Sequence, residues 1–295
     1  MSLKALKRIF LLLGATAFTL MVALVSPANL AITSGLVGPL PPKVDITRPA
    51  PYLNCESACL FDNYNSIKLY GKDEHIVRPI ASITKLLTAL TFLDYKVDWN
   101  KEVPMIMADV ENSSRSVLRA GHIYRVRDLI HASLMGSDNR ATRALARSTG
   151  VSPDSFVIAM NAKARELGLL SIHVEEPTGL SENNVANAED VARLLNTAAN
   201  NQTISQILQE KQYTFSSVNK HRQYTFGNTN RLLHGRYEVE GGKTGYIEEA
   251  GWCFTARATD RDGHDLTAVV LGAHSNGQRF TQAQKLFDWA FKQLD

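Results

Sequence analysis

Three short motifs follow one another along the chain: Ser82-Ile83-Thr84-Lys85, Ser137-Asp138-Asn139 and Lys243-Thr244-Gly245. None is rare alone, since a second Ser-x-x-Lys runs from Ser217 to Lys220 and a second Ser-x-Asn from Ser181 to Asn183. Together they supply a nucleophile, a base, proton-relay groups and a cation that can clamp a carboxylate. That inventory suits covalent attack by a serine on an amide or β-lactam carbonyl.

Ser82 and Lys85 stand three residues apart, so on a helix their side chains share one face. A helix N-terminus adds free backbone N–H groups and a positive dipole end beside a developing alkoxide. Serine is a weak nucleophile until a neighbour takes its proton. An ordinary lysine, with a pKa of about 10.4, is protonated at neutral pH and cannot do so. Burial and a nearby cation would neutralise Lys85, and Lys243 is the expected source of that charge. On a helix–helix turn, Ser137 is placed to relay a proton to the departing amine, and the Asn139 amide to hold a substrate backbone amide. Asp138 is expected to face away and anchor the loop. Lys243 and Thr244 suit a carboxylate, and Gly245 lets an extended peptide approach the strand edge. The backbone N–H groups of Ser82 and Tyr246 are the oxyanion-hole candidates. Each motif has a plainer alternative: a helix cap beside a solvated lysine, a capped turn, and a surface turn between strands. Their joint occurrence favours the chemical reading.

The elements that must position these residues are legible in outline. Residues 58–62 and 66–70 read as strands of a hairpin around 63–65. Pro79 breaks the chain, and a helix is expected over 82–95 with Ser82 in its first turn. Residues 126–134 and 139–148 read as helices with the turn 136–138 between them. Ser152-Pro153 opens a helix reaching 167, serine at the cap and proline at the first helical position. Another helix is expected over 188–199. Strands follow at 237–244, 251–259 and 265–271, with Asp262-Gly263 as a turn and Lys243-Thr244-Gly245 at a strand end. A helix over 282–294 closes the chain, so neither a C-terminal domain nor a terminal membrane helix is expected. Strands at both ends with helices between indicate an α/β (α+β) fold, an antiparallel sheet completed by both termini with a helical subdomain inserted.

With 295 residues and 44% hydrophobic content the chain can bury a full core. A net charge of +3 is too small to argue for nucleic acid, though it suits an anionic wall polymer. Lys4, Lys7 and Arg8 precede an apolar run over 9–25, then small residues around Ala28 and Ala31. This is the layout of a secretory signal, with an N-terminal membrane anchor as the alternative. Pro39, Pro41, Pro42, Pro49 and Pro51 mark an extended tether. The expected division is a signal or anchor over 1–31, a tether over 32–54 and a catalytic domain over 55–295. Of the three cysteines, Cys55 and Cys59 are expected to pair, leaving Cys253 in a strand; the alternative is three buried thiols. No metal-binding spacing, Gly-x-Ser-x-Gly elbow or phosphate loop appears, so neither a metal nor another cofactor is expected. His122 and His131 suit packing or surface roles.

The chain resembles the penicillin-binding D-alanyl-D-alanine peptidases over roughly residues 55–294. Pro79-Ile80-Ala81-Ser82-Ile83-Thr84-Lys85 is similar to that family's nucleophile segment. Glu176-Pro177-Thr178-Gly179-Leu180-Ser181, Gly227-Asn228-Thr229-Asn230-Arg231-Leu232-Leu233 and Lys243-Thr244-Gly245-Tyr246-Ile247 resemble its penicillin-binding protein 7 endopeptidase branch. The resemblance implies a five-stranded antiparallel sheet flanked by helices, with an all-helical subdomain across the cleft. It implies a periplasmic enzyme that cuts D-Ala-linked cross-links in peptidoglycan through an acylated Ser82, with β-lactam antibiotics as covalent inhibitors. By the same likeness Arg279 binds a substrate carboxylate, a role its guanidinium suits. Cys55 and Cys59 have no role in the family. The rival readings are a D-Ala-D-Ala carboxypeptidase of the same family, a class A β-lactamase using Glu176 to activate water, and a non-enzymatic wall-binding or penicillin-sensing module.

Overall fold

The computed structural model describes residues 49–294 apart from 112, 114 and 115. The signal or anchor over 1–31, and the tether up to residue 48, lie outside the described residues.

Strands β1 (Ser57–Asp62) and β2 (Ile67–Lys72) form the expected hairpin. After the two-residue β3 (Arg78–Pro79) comes a single 3-10 turn, Ala81–Ile83, then helix α1 (Thr84–Asp94). Ser82 therefore sits in that tight turn and not in the α-helix itself. The middle of the chain is helical: α2 (Met107–Val110), α3 (Val126–Leu134), α4 (Asn139–Ser148), α5 (Pro153–Glu166), α6 (Ala188–Asn200) and α7 (Gln202–Gln209). The starts of α4 to α7 follow from short polar side chains closing the first turn. Ser152 Oγ accepts from the Ser155 N–H at 3.1 Å, and Asn187 Oδ1 from the Asp190 N–H at 2.8 Å. Between the helices lie the small ladders β4 (Glu102–Pro104) with β5 (Ile123–Arg125), and β3 with β6 (Val185–Ala186). A further hairpin, β7 (Gln212–Ser216) with β8 (Gln223–Gly227), follows α7. The chain ends in β9 (Glu238–Ile247), β10 (Gly251–Thr259), β11 (Asp265–Ala273) and α8 (Asn276–Leu294).

The main sheet has the order β2-β1-β11-β10-β9 and is antiparallel throughout, so the first strands pair with the last. Side chains alternate across its pleat. Leu60, Phe254 and Val270 face α8, where Phe280, Leu286 and Phe287 cover them. Cys59, Cys253 and Val269 face the helical side and join the core around α1. The sheet is covered on both faces, and among the described residues its edge strand β9 has no further partner strand. α1 is buried over residues 84–92, which fixes the direction of every side chain it carries.

Two expectations need correction. The motif Lys243-Thr244-Gly245 lies inside β9, which continues to Ile247, and does not end the strand. Cys55, Cys59 and Cys253 are all free and buried. Cys59 points to the helical core while Cys55 packs on the α8 side. An extended four-residue step spans about 13 Å, beyond the reach of a disulfide.

Candidate active site

Two glycines let the nucleophile turn be gripped from both sides. A Cβ on Gly179 would lie 2.0 Å from the Ala81 carbonyl oxygen, and one on Gly245 would lie 2.8 Å from the Ile80 oxygen and 3.1 Å from the Ser82 nitrogen. The loop at 176–181 and the edge strand thus close on the backbone of Ser82 where any side chain would intervene. Ala81 itself holds a positive φ of 48°, a conformation that persists for a non-glycine residue only where the surroundings enforce it.

Lys85 Nζ lies 2.7 Å from Ser82 Oγ and donates to Asn139 Oδ1 at 2.7 Å and to the Thr178 carbonyl at 2.5 Å. With two hydrogens on those acceptors, a neutral amine turns its lone pair to the serine hydroxyl. Burial lowers the Lys85 pKa to about 7; the Glu176 and Asp138 carboxylates oppose the shift and the Arg143 cation adds to it. Burial is therefore the leading cause, and Arg143 supplies the neighbouring charge expected of Lys243. The effect between the two lysines runs the other way. Lys243 is pushed well below the ordinary lysine range by burial first, then by the charges of Lys85 and Arg279.

Lys243 Nζ donates to Ser137 Oγ at 2.7 Å and to the Thr244 carbonyl at 3.0 Å. Both lysines are fully buried, which overturns the solvated-lysine and surface-turn alternatives. Ser137 holds a positive φ of 56°. That bend is fixed beside it, because Asp138 caps α4 by accepting the Ala141 N–H at 2.9 Å and its own N–H reaches the Ala132 carbonyl. Asp138 thus anchors the loop as expected, and Asn139 presents its amide oxygen to Lys85.

Arg279, near the start of α8, runs beneath the edge strands. Its Nη1 donates to the carbonyls of Gly245 at 3.0 Å and Cys253 at 3.4 Å, and its guanidinium lies between the rings of Trp252 and Phe280. Burial lowers its pKa to about 10, so it stays charged at neutral pH. Among the described residues neither Arg279 nor Lys243 forms an ion pair with a carboxylate. Arg279, a buried cation beside the cleft without an internal counter-ion, favours an anionic ligand there.

Ser82, Ser137, Asn139, Thr244, Gly245, Tyr246 and Arg279 line one cleft of about 180 Å³, together with Leu180 and Trp252. Lys85 and Lys243 stand behind its wall. The duplicate motifs take no part. Ser217 Oγ sits 3.2 Å from His122 Nδ1 and accepts the Arg222 N–H, closing the β7–β8 turn, while Ser181 and Asn183 both donate to Glu175. His131 stacks on Tyr213 with centroids 3.9 Å apart, a packing role. Among the described residues no group of acidic, histidine or cysteine side chains could hold a metal ion.

The loop at 176–181 was not read from sequence as a structural part of the site. Glu176 accepts the N–H groups of Thr178 at 2.7 Å, Gly179 at 2.5 Å and Leu180 at 2.7 Å, and the Thr178 hydroxyl at 2.5 Å. Asn184 Nδ2 adds a bond at 3.2 Å. Its oxygens are filled by its own loop, and it is absent from the lining of the cleft. The tightness of that loop is what aims the Thr178 carbonyl at Lys85. Thr229 was missed as well; its hydroxyl accepts from Thr244 Oγ1 at 2.8 Å.

A sheet braced on both faces, a serine against a buried neutral-prone lysine and an edge strand underlain by a charged arginine define a serine hydrolase of the penicillin-binding fold. The chain belongs to the D-alanyl-D-alanine carboxypeptidase family, matched over residues 45–275. It is 34% identical over 264 residues to a D-alanyl-D-alanine endopeptidase of Pseudomonas aeruginosa, covering 88% of this chain and 84% of that one. A D-alanyl-D-alanine endopeptidase of Escherichia coli is 32% identical over 246 residues, covering 82% and 79%. Among solved structures, a Streptomyces DD-transpeptidase superposes with a TM-score of 0.78 at 26% identity, covering 83% of this chain and 100% of that one. A D-alanyl-D-alanine carboxypeptidase of Mycobacterium tuberculosis superposes with a TM-score of 0.76 at 31% identity, covering 86% and 96%.

Proposed function

We propose that this protein is an exported D-Ala-D-Ala endopeptidase that cleaves cross-links between peptidoglycan stem peptides through a Ser82 acyl-enzyme. The observation that carries the chemistry is the buried Lys85 amine 2.7 Å from Ser82 Oγ. Lys85 takes the serine proton as Ser82 attacks the D-alanyl carbonyl carbon. The backbone N–H groups of Ser82 and Tyr246 receive the oxyanion. Ser137, held by Lys243, faces the same cleft and relays the proton taken by Lys85 to the leaving amine, so that Lys85 returns to the free amine and Ser137 to the hydroxyl. Thr244 and Arg279 hold the carboxylate on the leaving side, and water then hydrolyses the ester. Both a terminal D-alanine and a cross-linked diamino acid offer such a carboxylate. The endopeptidase names of the relatives from Pseudomonas aeruginosa and Escherichia coli favour the cross-link as substrate. The basic and then apolar N-terminus supports export to the periplasm.

The test is product analysis of defined muropeptides. A cross-linked dimer should fall to monomers with wild-type protein and remain intact with Ser82→Ala. Removal of only a terminal D-alanine, with dimers untouched, would assign the carboxypeptidase reaction instead. The β-lactamase alternative is disfavoured because Glu176 is committed to its own loop. Benzylpenicillin should label Ser82 as a lasting adduct, and rapid penicillin turnover without a trapped adduct would restore that alternative.

A further inference from the structure

We infer that Thr229 is a positioning residue for substrate, orienting the Thr244 hydroxyl toward an incoming carboxylate; this rests on the peptidase reading. Thr229 lies between β8 and β9 and ties together parts that sequence keeps far apart. Its N–H donates to the Met135 carbonyl at 3.0 Å, immediately before the Gly136-Ser137 turn. Its hydroxyl accepts from Thr244 Oγ1 at 2.8 Å. The segment is itself held: Asn228 Nδ2 donates to the carbonyls of Leu208 and Glu210 at 3.1 and 2.9 Å, and Asn228 Oδ1 accepts the Asn230 N–H at 2.9 Å. Phe226, just upstream, packs so closely on Gly136 that a Cβ there would lie 2.3 Å from its ring. Thr229 is thus fixed to the Ser137 turn by its backbone and to the edge strand by its side chain.

A hydroxyl donates one hydrogen bond and accepts two. The Thr244 hydroxyl donates its proton to Thr229. A carboxylate entering beside Arg279 accepts that proton, and the Thr229 hydroxyl then reverses and donates to Thr244 across the same 2.8 Å. The pair keeps the Thr244 oxygen in place in both states, so its donor is aimed before substrate arrives. Without the partner hydroxyl, Thr244 must be ordered at the moment of binding.

The experiment compares acylation by benzylpenicillin with acylation by its methyl ester, which lacks the carboxylate. Thr229→Val should lower the second-order rate for benzylpenicillin by about tenfold, the scale of one hydrogen bond to a charged partner. The slower reaction of the ester should not change, and Thr229→Ser should restore the benzylpenicillin rate. Equal losses with both compounds, or no loss, would overturn the assignment. Should Thr229→Val melt early, Thr229→Ala gives the same comparison, because the ratio of the two rates carries the answer. Failure of the wild-type protein to react with benzylpenicillin would overturn the peptidase reading itself.

Discussion

The two buried lysines of the cleft meet opposite surroundings. Lys85 is held by an amide oxygen and a carbonyl, with the charges of Glu176 and Asp138 near enough to resist its neutralisation. Lys243 is held by a hydroxyl and a carbonyl, and the charges acting on it are the cations Lys85 and Arg279. Burial pushes both down, but only Lys85 has acids to stop the fall, at about 7. One region is therefore finished before substrate arrives, with a base near neutrality. The other is electrostatically incomplete and gains its missing anion from the ligand.

The contrast breaks most completely if the finished region loses its base. Lys85→Ala should cut acylation of Ser82 by benzylpenicillin by about 10³-fold, within the range for a general base, while circular dichroism stays native. Undiminished labelling would remove Lys85 from that role. Gly179→Ala attacks the same region through its backbone. The new Cβ would meet the Ala81 oxygen at 2.0 Å, and alanine is strained at the Gly179 φ of 85°. A fall in acylation of about 10²-fold with a lower melting temperature is expected, and unchanged values for both would show that the loop yields freely.

The incomplete region should respond to the ligand's charge. Arg279→Leu should slow acylation by carboxylate-bearing penicillin by 10- to 100-fold, about 1.5–3 kcal/mol, and spare the methyl ester. Equal loss with both would make Arg279 a mere brace for β9. The smallest effect sharpens the contrast through pH. Acylation requires neutral Lys85, so its rate should rise with pH through about 7. Arg143 helps lower that pKa, so Arg143→Gln should move the rise to higher pH by a fraction of a unit. A shift to lower pH would contradict the electrostatics described here.

How far the sequence revealed this arrangement depended on whether information was local. The helices at Val126–Leu134 and Asn139–Ser148 match their expected limits, because the turn between them and the Asp138 cap are written in adjacent residues. The order of strands around a helical middle was equally readable, and Ser82, Ser137, Asn139, Thr244, Gly245, Tyr246 and Arg279 do meet in one cleft. The β7–β8 hairpin was missed, although its alternating Tyr213, Phe215, Tyr224 and Phe226 carry the period of a strand. Its six-residue connection lacks the glycine that would mark a tight turn. The Thr178 carbonyl was not legible because any residue type carries one. The cation acting on Lys85 was misassigned for a related reason: motif spacing says nothing of which charge folding brings near, and Arg143 belongs to no motif.

The pairing of β1 with β11 joins Ser57 to Leu271, so β1 waits for its inner neighbour, the central strand of the sheet, synthesised roughly 200 residues later. The nucleophile turn follows directly from that first hairpin and is gripped by Gly245 of β9, also a late segment. A nascent chain can thus make its serine and lysine early while leaving them apart. Hydrolytic competence arrives only with the last strands, which ties the onset of cutting to completion of the polypeptide.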